Sequence, residues 1–445
     1  MATLFNPMRT LPKTADFKSE DVLVVFGELF HRGYANGIVE EAQKQGMKVI
    51  YSTVGRRDAD GQLRSLTTEE LNDNKAQPLI NIPLEAGFDM KPAKSGRRPI
   101  DQLKGKKLSE QDSVEMNFQE IEESRAAGTE DFRYRVQTYL SELEQYIPDG
   151  ANVVFAHTMA GGVPRAKLIM PAMNRVFKGS GDRYTSSEKF WKSDMGRFCK
   201  ASFEEVTANT LRHLVDLSTP LREKIEKGGG KVSYTAYGYH GTDILINAQY
   251  TWQSYSPYLQ GFAKILLEDI AQEYWNKGVK VTVFNAPEIL TNSSSIFLGV
   301  EVSLYPLLGA LKKEAPEHPR VKEILDKCQH VLKPEYNLDN VLEYTDKYFS
   351  TEIIAKDWSQ FDIWPQHNGL EQMNLMRSTS QGLIDMHKDP KNLLTAELSE
   401  VVFQACGKIM LAEAAYPQKP VWWLGHDIVA KQTVTTDSSV LTRQP

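Results

Sequence analysis

The chain has 445 residues, 41% of them hydrophobic, and a formal net charge of −6. This length allows one large α/β domain with additions, or two domains, around a sizeable core. The acidic balance argues against nucleic acid or anionic lipid as the general partner, so we expect a small molecule. Cys199, Cys328 and Cys406 lie far apart without metal-ligand spacing, so neither a disulfide framework nor a metal site is predicted.

The sequence also bears on location. It contains no run of about 18 uncharged apolar residues, and its first residues lack an apolar stretch of signal-peptide length. We therefore expect no membrane span and a cytoplasmic protein. The oligomeric state is left open, and a homo-oligomer is compatible with the sequence.

The first part of the chain predicts alternating strands and helices. Val22–Phe26 is a continuous apolar run typical of a buried strand, and residues 34–45 have a helical pattern. A second strand is predicted over residues 48–53 and a short third strand over residues 79–82. Parallel strands joined by right-handed crossovers follow from this order, so the predicted fold class is α/β with a doubly wound sheet.

The middle of the chain continues the alternation between two irregular segments. Helices are predicted over residues 132–146 and 203–227, and strands over residues 152–156, 232–237 and 279–284. The segments near 88–130 and 164–203 lack this alternation, so we predict that they are insertions. Residues 1–345 are assigned to the main domain, 346–431 to a helical C-terminal appendage packed on it, and 432–445 to a disordered tail.

The turn after the first strand has the features of a phosphate-binding loop. It reads GELFHRGYANGI and is not the common GxGxxG pattern. Gly27 lets the chain leave the strand and Gly33 precedes the helix, while Ala35 and Gly37 are small enough for close helix–strand packing. Free N–H groups at the helix N-terminus would bind a pyrophosphate. A plain strand-to-helix loop is the alternative interpretation.

The residues after the second strand indicate which dinucleotide binds. An acidic residue there accepts hydrogen bonds from a ribose 2′-hydroxyl, whereas an arginine pairs with a 2′-phosphate. The chain has Arg56 and Arg57 there and no carboxylate at the strand end. NADPH is therefore predicted, with NADH as the alternative. The arginines could instead be a solvated pair offset by Asp58 and Asp60.

The segment YSPYLQGFAK offers two phenols and a lysine. Ser256 and Pro257 are typical of the N-cap and first position of a helix, so Tyr255 lies just before the helix that carries Lys264. Tyr258 would lie about 120° from Lys264 around the helix axis. Tyr255 escapes that restriction and is the favoured partner of Lys264.

These segments resemble the enoyl-acyl-carrier-protein and trans-2-enoyl-CoA reductase branch of the short-chain dehydrogenase/reductase superfamily. The glycine turn is similar to the divergent motif of that branch, with Gly33 where a serine is usual. The pair Tyr255-x8-Lys264 resembles its Tyr-x8-Lys, and Tyr239 in YGYHG resembles its Tyr-x-Gly element. The loop NAPEILTNSSS resembles one that contacts the nicotinamide carboxamide through its backbone and Thr291.

The resemblance implies a Rossmann-like NAD(P)-binding domain and hydride transfer to the β-carbon of an enoyl thioester, carried by acyl carrier protein or CoA, in fatty-acid synthesis. It places Tyr255 at the thioester oxygen, Tyr239 as a second donor or substrate contact, and Lys264 at the nicotinamide ribose. A nearby ammonium would also favour ionisation of Tyr255. His157, at a strand end, is counted with the cofactor-binding residues, although a structural role is the alternative.

Two other functions stay open from the sequence. A carbonyl or 3-oxoacyl reductase of the same superfamily would more commonly have a Ser and Tyr-x3-Lys pattern, which is missing here. A catalytically silent dinucleotide-binding regulator would keep the glycine turn and lose the Tyr/Lys pair. Since that pair is present in YSPYLQGFAK, enoyl reduction is the favoured interpretation.

Overall fold

The structure is a computed structural model that describes residues 6–74, 76–106, 114–254, 259–291, 294, 297–358 and 369–435. The strands are β1 Val22–Phe26, β2 Lys48–Thr53, β3 Arg56–Arg57, β4 Leu63–Arg64, β5 Leu79–Pro83, β6 Val153–His157, β7 Val232–Gly238, β8 Gly241–Ile246, β9 Gln249–Ser254, β10 Val281–Asn285 and β11 Val421–Trp423. The α-helices are α1 Ala35–Lys44, α2 Thr68–Asp73, α3 Phe118–Leu143, α4 Ala166–Phe177, α5 Ser187–Lys192, α6 Asp194–Glu204, α7 Thr210–Leu217, α8 Thr219–Lys227, α9 Leu259–Asn276, α10 Val300–Leu304, α11 Leu307–Glu314, α12 Pro319–Val331, α13 Leu338–Phe349, α14 Glu352–Trp358, α15 Leu370–Asp385, α16 Leu394–Ala415 and α17 His426–Thr433.

Within the described residues, seven parallel strands form the central sheet in the order β11-β10-β7-β6-β1-β2-β5. Strand β1 is buried throughout, and its side chains alternate between two apolar clusters. Val22, Val24 and Phe26 belong to one cluster, and Leu23 and Val25 to the other. Helices cover both faces, which is why the strand is apolar at every position. The predicted doubly wound, Rossmann-like α/β fold is confirmed.

The C-terminal part of the chain is built into this core. It is mostly helical, as predicted, but it also supplies β11, which pairs with β10 at the sheet edge. Helix α16 crosses α1 so closely that a Cβ at Gly37 would lie 1.8 Å from the carbonyl oxygen of Phe403. The small residue at 37 therefore allows close helix–helix packing, where the sequence predicted helix–strand packing. The domain boundary at residue 345 stays a prediction.

Two predicted helices have different bounds in the structure. Helix α3 begins at Phe118, within the predicted first insertion, because the side chain of Asn117 caps it by accepting from Gln119 N–H and Glu120 N–H. The helix predicted over 203–227 is divided into α6, a π-helical turn at Glu205–Asn209, α7 and α8. A proline near the start of α8 explains the last division, since proline is favoured in the first helical turn.

The two predicted insertions pack against each other. Phe88 and Ile100 of the first meet Ile169 and Phe198 of the second in a third apolar cluster, which we call the cap cluster. The rings of Phe88 and Phe198 lie edge to face, with centroids 6.0 Å apart. Tyr239 packs against this cluster, so the insertions lie beside the end of β7.

An antiparallel hairpin of β8 and β9 follows β7 and was not predicted. Its turn residues, Asn247 and Ala248, have φ of 46° and 63°. Two positive φ values are typical of a type I′ turn, which usually carries glycine at its second position. Alanine stands there instead, so the common sequence signal is missing. Trp252 of the hairpin contacts Trp423 of β11, with ring centroids 4.7 Å apart.

The predicted tail begins where the last helix ends. Helix α17 continues to Thr433, and residues 436–445 lie outside the described residues. None of the helices in the described part of the chain is long and apolar enough to cross a membrane.

The contact between α1 and α16 predicts an asymmetric effect of two glycine substitutions. Gly37→Ala forces a methyl group onto the backbone of α16 and should lower the free energy of unfolding by about 1–3 kcal/mol. Gly33→Ala is the matched control, because a Cβ there meets no atom within 4 Å. Urea unfolding of the protein without cofactor measures both variants. Equal stability of the two would show that the helix contact is looser than described.

Candidate active site

A cavity opens at the carboxyl ends of β1, β6, β7 and β10. The parallel register brings these ends together, since Phe26 pairs with His157, His157 with Ala236, and Gly238 with Asn285. The predicted site residues that line it are Gly33, Ala35, His157, Tyr239, Lys264 and Thr291. Glu28, Arg32 and Glu288 line it as well and were not predicted. Ligands of open α/β sheets bind at this edge, beside the point where the strand order reverses.

The glycine turn forms one wall of the cavity. Gly27 has φ of 133°, and a Cβ there would lie 2.4 Å from Oγ1 of Thr158, so only glycine fits. The side-chain amide of Asn36 donates to the carbonyl oxygens of Phe30 and Gly33, at 3.0 Å each, and so ties the turn to α1. The first turn of α1 contains no acidic residue. These features fit a dinucleotide pyrophosphate at the positive end of the helix.

A carboxylate occupies the end of β2. Glu28 accepts from the Thr53 hydroxyl at 2.8 Å, from the Val54 N–H at 3.1 Å and from the Arg56 guanidinium at 2.9 Å. Burial alone would raise the pKa of Glu28, but these donors outweigh it and lower the pKa. Sequence reasoning missed this acid because it comes from the turn after β1, not from β2 itself.

The two arginines predicted to bind a 2′-phosphate have protein partners. Arg56 pairs with Glu28, and Arg57 pairs with Glu85 at 2.9 Å and donates to the carbonyl oxygen of Gly61 at 2.7 Å. Arg57 lines an adjoining cavity, and Arg56 is not among the described residues that line either one. The predicted NADPH preference therefore gains no support from the geometry.

Lys264 reaches the cavity from α9. Its ammonium donates to the carbonyl oxygen of Tyr237 at 2.8 Å, which fixes the side chain across the end of β7. Burial lowers the pKa of Lys264 to about 8. A lysine held in this way can donate to a ligand in the cavity while its charge is only weakly solvated.

His157 lies beneath the cavity at the end of β6. Its Nε2 is 2.8 Å from Oγ1 of Thr210, and its ring stacks on Phe26. Burial, and then the charge of Lys264, lower the pKa of His157 to about 3, so the imidazole is neutral. This geometry favours the structural alternative, and contact with cofactor stays a prediction.

Tyr239 and Glu288 meet across the cavity. The Tyr239 hydroxyl donates to Oε2 of Glu288, which lies in the loop after β10 and is 1% exposed. Burial raises the pKa of Glu288 to about 8 despite this hydrogen bond. The sequence signal for Glu288 was an acid inside the otherwise apolar run APEIL.

A buried polar network fixes the end of β7 next to the cavity. Glu268, one turn after Lys264 on α9, accepts from the Asn285 amide at 2.8 Å and lies 3.0 Å from Nδ1 of His240. The Asn285 side-chain oxygen accepts from the His240 N–H at 3.0 Å. Lys264 and Glu268 lie one turn apart on α9, so the network lies beside the lysine.

The loop after β10 carries Thr291. The Thr291 N–H donates to the hydroxyl of Ser294 at 2.7 Å, and the Ser294 N–H donates back to the Thr291 hydroxyl at 2.9 Å. Tyr255, predicted to precede α9, and Tyr258, predicted to lie on the same helix as Lys264, are outside the described residues. No cluster of potential metal ligands occurs in the part of the chain that the structure describes.

The family model of the enoyl-acyl carrier protein reductase FabMG matches residues 4–433. The chain belongs to this family. An apo structure of FabMG, described as a novel type of enoyl-acyl carrier protein reductase, is 43% identical over 97% of this chain and 98% of its own, with a TM-score of 0.92. An NADH-bound structure of FabMG is 38% identical over 97% of this chain and 99% of its own, with a TM-score of 0.77. No curated protein matches the chain.

Membership of the FabMG family confirms the predicted enoyl reductase resemblance, and the match extends it to the C-terminal part of the chain. The protein is an oxidoreductase that reduces the double bond of an enoyl thioester with a nicotinamide dinucleotide. Its cavity is lined by part of the glycine turn, by Lys264, and by Tyr239, which donates to the buried Glu288. The roles of the individual residues stay predictions.

The network around Glu268 predicts a loss of stability when it is broken. Asn285→Ala removes the acceptor of the His240 N–H and a donor to Glu268, both buried, and should lower the free energy of unfolding by about 2–4 kcal/mol. Asn276→Ala, on the exposed end of α9, is the control and should change it by less than about 0.5 kcal/mol. Guanidinium unfolding measures the difference. An Asn285 variant as stable as the control would contradict the network.

Proposed function

We propose that this enoyl reductase uses NADH and takes its substrate as a thioester of acyl carrier protein. The observation that carries the proposal is the convergence of the glycine turn, Lys264 and Tyr239 on one cavity, with Glu28 at the end of β2. The FabMG proteins that resemble this chain are described as enoyl-acyl carrier protein reductases, and one of them is bound to NADH.

The bound dinucleotide would supply the hydride for the β-carbon of the enoyl thioester. Around it, the N-terminus of α1 would bind the pyrophosphate and Lys264 would donate to the nicotinamide ribose. Tyr255 and Tyr239 would donate to the thioester, where negative charge develops on the oxygen. Such stabilisation is commonly the largest single contribution to catalysis in reactions that pass through an oxyanion.

The choice of NADH rests on the charge of Glu28. An ionised carboxylate at the end of β2 accepts hydrogen bonds from a ribose 2′-hydroxyl and repels a 2′-phosphate. Arg56 is already neutralised by this carboxylate at 2.9 Å, and Arg57 is engaged by Glu85. The two arginines that would bind the 2′-phosphate of NADPH therefore each have a carboxylate partner within the protein, Glu28 for Arg56 and Glu85 for Arg57.

The acyl chain has an apolar surface to follow. Tyr239 contacts the cap cluster, whose members include Phe177, Phe203, Ala263 and Phe297. Phe297 also lines the cavity, so apolar surface continues from the reacting end into the insertions. This continuity supports a role for the second insertion, residues 164–203, in covering the acyl chain of the substrate.

Cofactor choice tests the role of Glu28. Wild-type kcat/KM should be at least about tenfold higher for NADH than for NADPH, because one charge-assisted contact contributes about 1.5–3 kcal/mol. Glu28→Gln removes the charge, keeps the shape, and should narrow that ratio by on the order of tenfold. Initial rates on an enoyl thioester with each cofactor give the ratio.

The double variant Arg56→Gln with Arg57→Gln is the matched test of the arginine hypothesis. Our proposal expects the ratio between the two cofactors to change less than about threefold. A specific collapse of NADPH use, with NADH use intact, would mean that the arginines bind a 2′-phosphate and that the assignment of Glu28 is wrong.

Single substitutions of Tyr255 and Tyr258 distinguish the catalytic roles of these two phenols. Tyr255→Phe should lower kcat by about 10²–10³ with little change in cofactor affinity, because the lost hydrogen bond matters chiefly in the transition state. Tyr258→Phe is the control from the same segment and should leave turnover nearly intact. Turnover is followed at saturating cofactor, with cofactor binding titrated separately. Low turnover of Tyr258→Phe together with normal turnover of Tyr255→Phe would mean that Tyr258, and not Tyr255, donates to the thioester oxygen.

A further inference from the structure

Glu288 is a buried acid to which the proposed function assigns no role. It follows β10 directly, is 1% exposed, and lines the cavity together with Tyr239 and Lys264. Its Oε2 accepts a hydrogen bond from the hydroxyl of Tyr239, and Tyr239 directly follows the neighbouring strand β7. The parallel pairing of β7 with β10 thus brings a phenol and a carboxyl into contact at the reacting end of the cavity.

The loop that contains Glu288 is anchored by other groups. The Ser294 hydroxyl donates to the Ile289 carbonyl oxygen at 2.7 Å, and the Leu290 N–H donates to the Ser399 hydroxyl at 3.0 Å. Thr291 and Ser294 exchange further hydrogen bonds. These contacts hold the loop through neutral groups. A carboxyl that is buried against a phenol in a cavity points to a role in proton chemistry.

The surroundings keep this acid in its neutral form over a wide pH range. Burial raises the pKa of Glu288 to about 8, the hydrogen bonds from Tyr239 and the Ile289 N–H oppose the rise, and Glu301 on α10 adds to it. Among the residues that the structure describes, the other titratable groups that line the cavity are Glu28, Arg32, Tyr34, His157, Tyr237 and Lys264. Near neutral pH the carboxyl therefore carries a proton that it can release.

We propose that Glu288 is the proton source behind Tyr239 in the reduction of the enoyl thioester. This inference rests on the proposed function of the cavity. Enoyl reduction adds a hydride at C3 and a proton at C2, and the structure so far assigns no group that supplies the proton. The contact between Tyr239 and Glu288 provides a path for it.

Hydride arrival at C3 leaves an enolate. The Tyr239 hydroxyl then turns its hydrogen from Glu288 to C2 and transfers it there, forming the C–H bond. Glu288, protonated on the oxygen that faces Tyr239, breaks its carboxyl O–H bond and returns that proton to the Tyr239 oxygen. Glu288 is left as a carboxylate that accepts from the restored phenol, and solvent reprotonates it before the next turnover.

The pH dependence follows from the sign of the shift. An acid must be protonated to deliver its proton, so the supply is complete below the pKa and is lost as the pH rises through about 8. Wild-type kcat for an enoyl thioester should therefore be flat below that pH and fall about tenfold per pH unit above it.

The test combines a pH profile with an isosteric substitution. Glu288→Gln keeps the size and a hydrogen-bond partner for Tyr239 but cannot release a proton. The kcat of this variant at pH 7 should be lower than that of wild type by about 10²-fold, and its KM should change less than about threefold. The decrease of kcat that wild type shows as the pH rises above the pKa of Glu288 should be absent. Initial rates with NADH and a trans-2-enoyl thioester, from about pH 6 to about pH 10, supply all three values.

The control is Glu301→Gln, which replaces another buried acid that lines an adjoining cavity and does not line the cavity of Tyr239 and Glu288. The kcat of this control at pH 7 should stay within about threefold of wild type. Its decrease at high pH should begin at a lower pH, because the charge of Glu301 is one cause of the raised pKa of Glu288. Thermal unfolding of both variants confirms that they fold. The Tyr239→Phe, Glu288→Gln double variant should be no slower than the slower single variant, since both act in one relay.

The outcomes separate this inference from the proposed function. If wild type reduces the enoyl thioester while Glu288→Gln retains its rate and pH profile, the inference alone is overturned. If wild type fails to reduce any enoyl thioester, the proposed function falls and the inference with it. Should Glu288→Gln not fold, the wild-type profile decides, because a kcat that stays flat to about pH 10 excludes Glu288 as the source.

Discussion

The parallel register of the central strands is the constraint on which the site depends. Phe26, His157 and Ala236 pair in successive strands, and Gly238 pairs with Asn285. Because parallel strands end at one edge, the loops that follow them must share the space beyond it. The glycine turn, Tyr239 and Glu288 are distant in sequence and meet only for this reason. The helices on both faces keep the register by burying every side chain of β1.

Burial gives the cavity its chemical character. Lys264 and Glu288, a potential cation and a potential anion, both have a pKa of about 8 because desolvation disfavours their charged forms. Each can therefore exchange a proton near neutral pH. The buried network of His240, Glu268 and Asn285 holds the neighbouring backbone in place, so the cavity needs little rearrangement when charge develops on a substrate.

The sequence predicted those parts of the molecule that depend on local patterns. Apolar runs located the strands of the central sheet except β11, and the motifs identified Gly33, Tyr239, Lys264 and Thr291, which line one cavity. Elements that depend on distant contacts were missed. Strand β11 has three residues and is recognisable only by its pairing with β10. The hairpin turn at Ala248 lacks the expected glycine.

The missed acids have the same explanation. Glu28 acts at the end of β2 although it follows β1, and Glu288 gains its raised pKa from burial that no local pattern reveals. The two arginines after β2 were read as free cations because their partners, Glu28 and Glu85, lie 28 residues away in each case. Charge at a site is thus a property of the folded neighbourhood, and a sequence window describes it incompletely.

The fate of a labelled hydride tests the central claim most directly. NADH carrying deuterium at the transferable position of its nicotinamide is incubated with the protein and a trans-2-enoyl thioester in ordinary water, and the product is examined by NMR. The account predicts deuterium at C3 of a saturated acyl thioester and hydrogen from solvent at C2. An unreduced enoyl thioester, together with deuterium at the carbinol carbon of a 3-hydroxyacyl product formed from a 3-oxoacyl thioester, would contradict it.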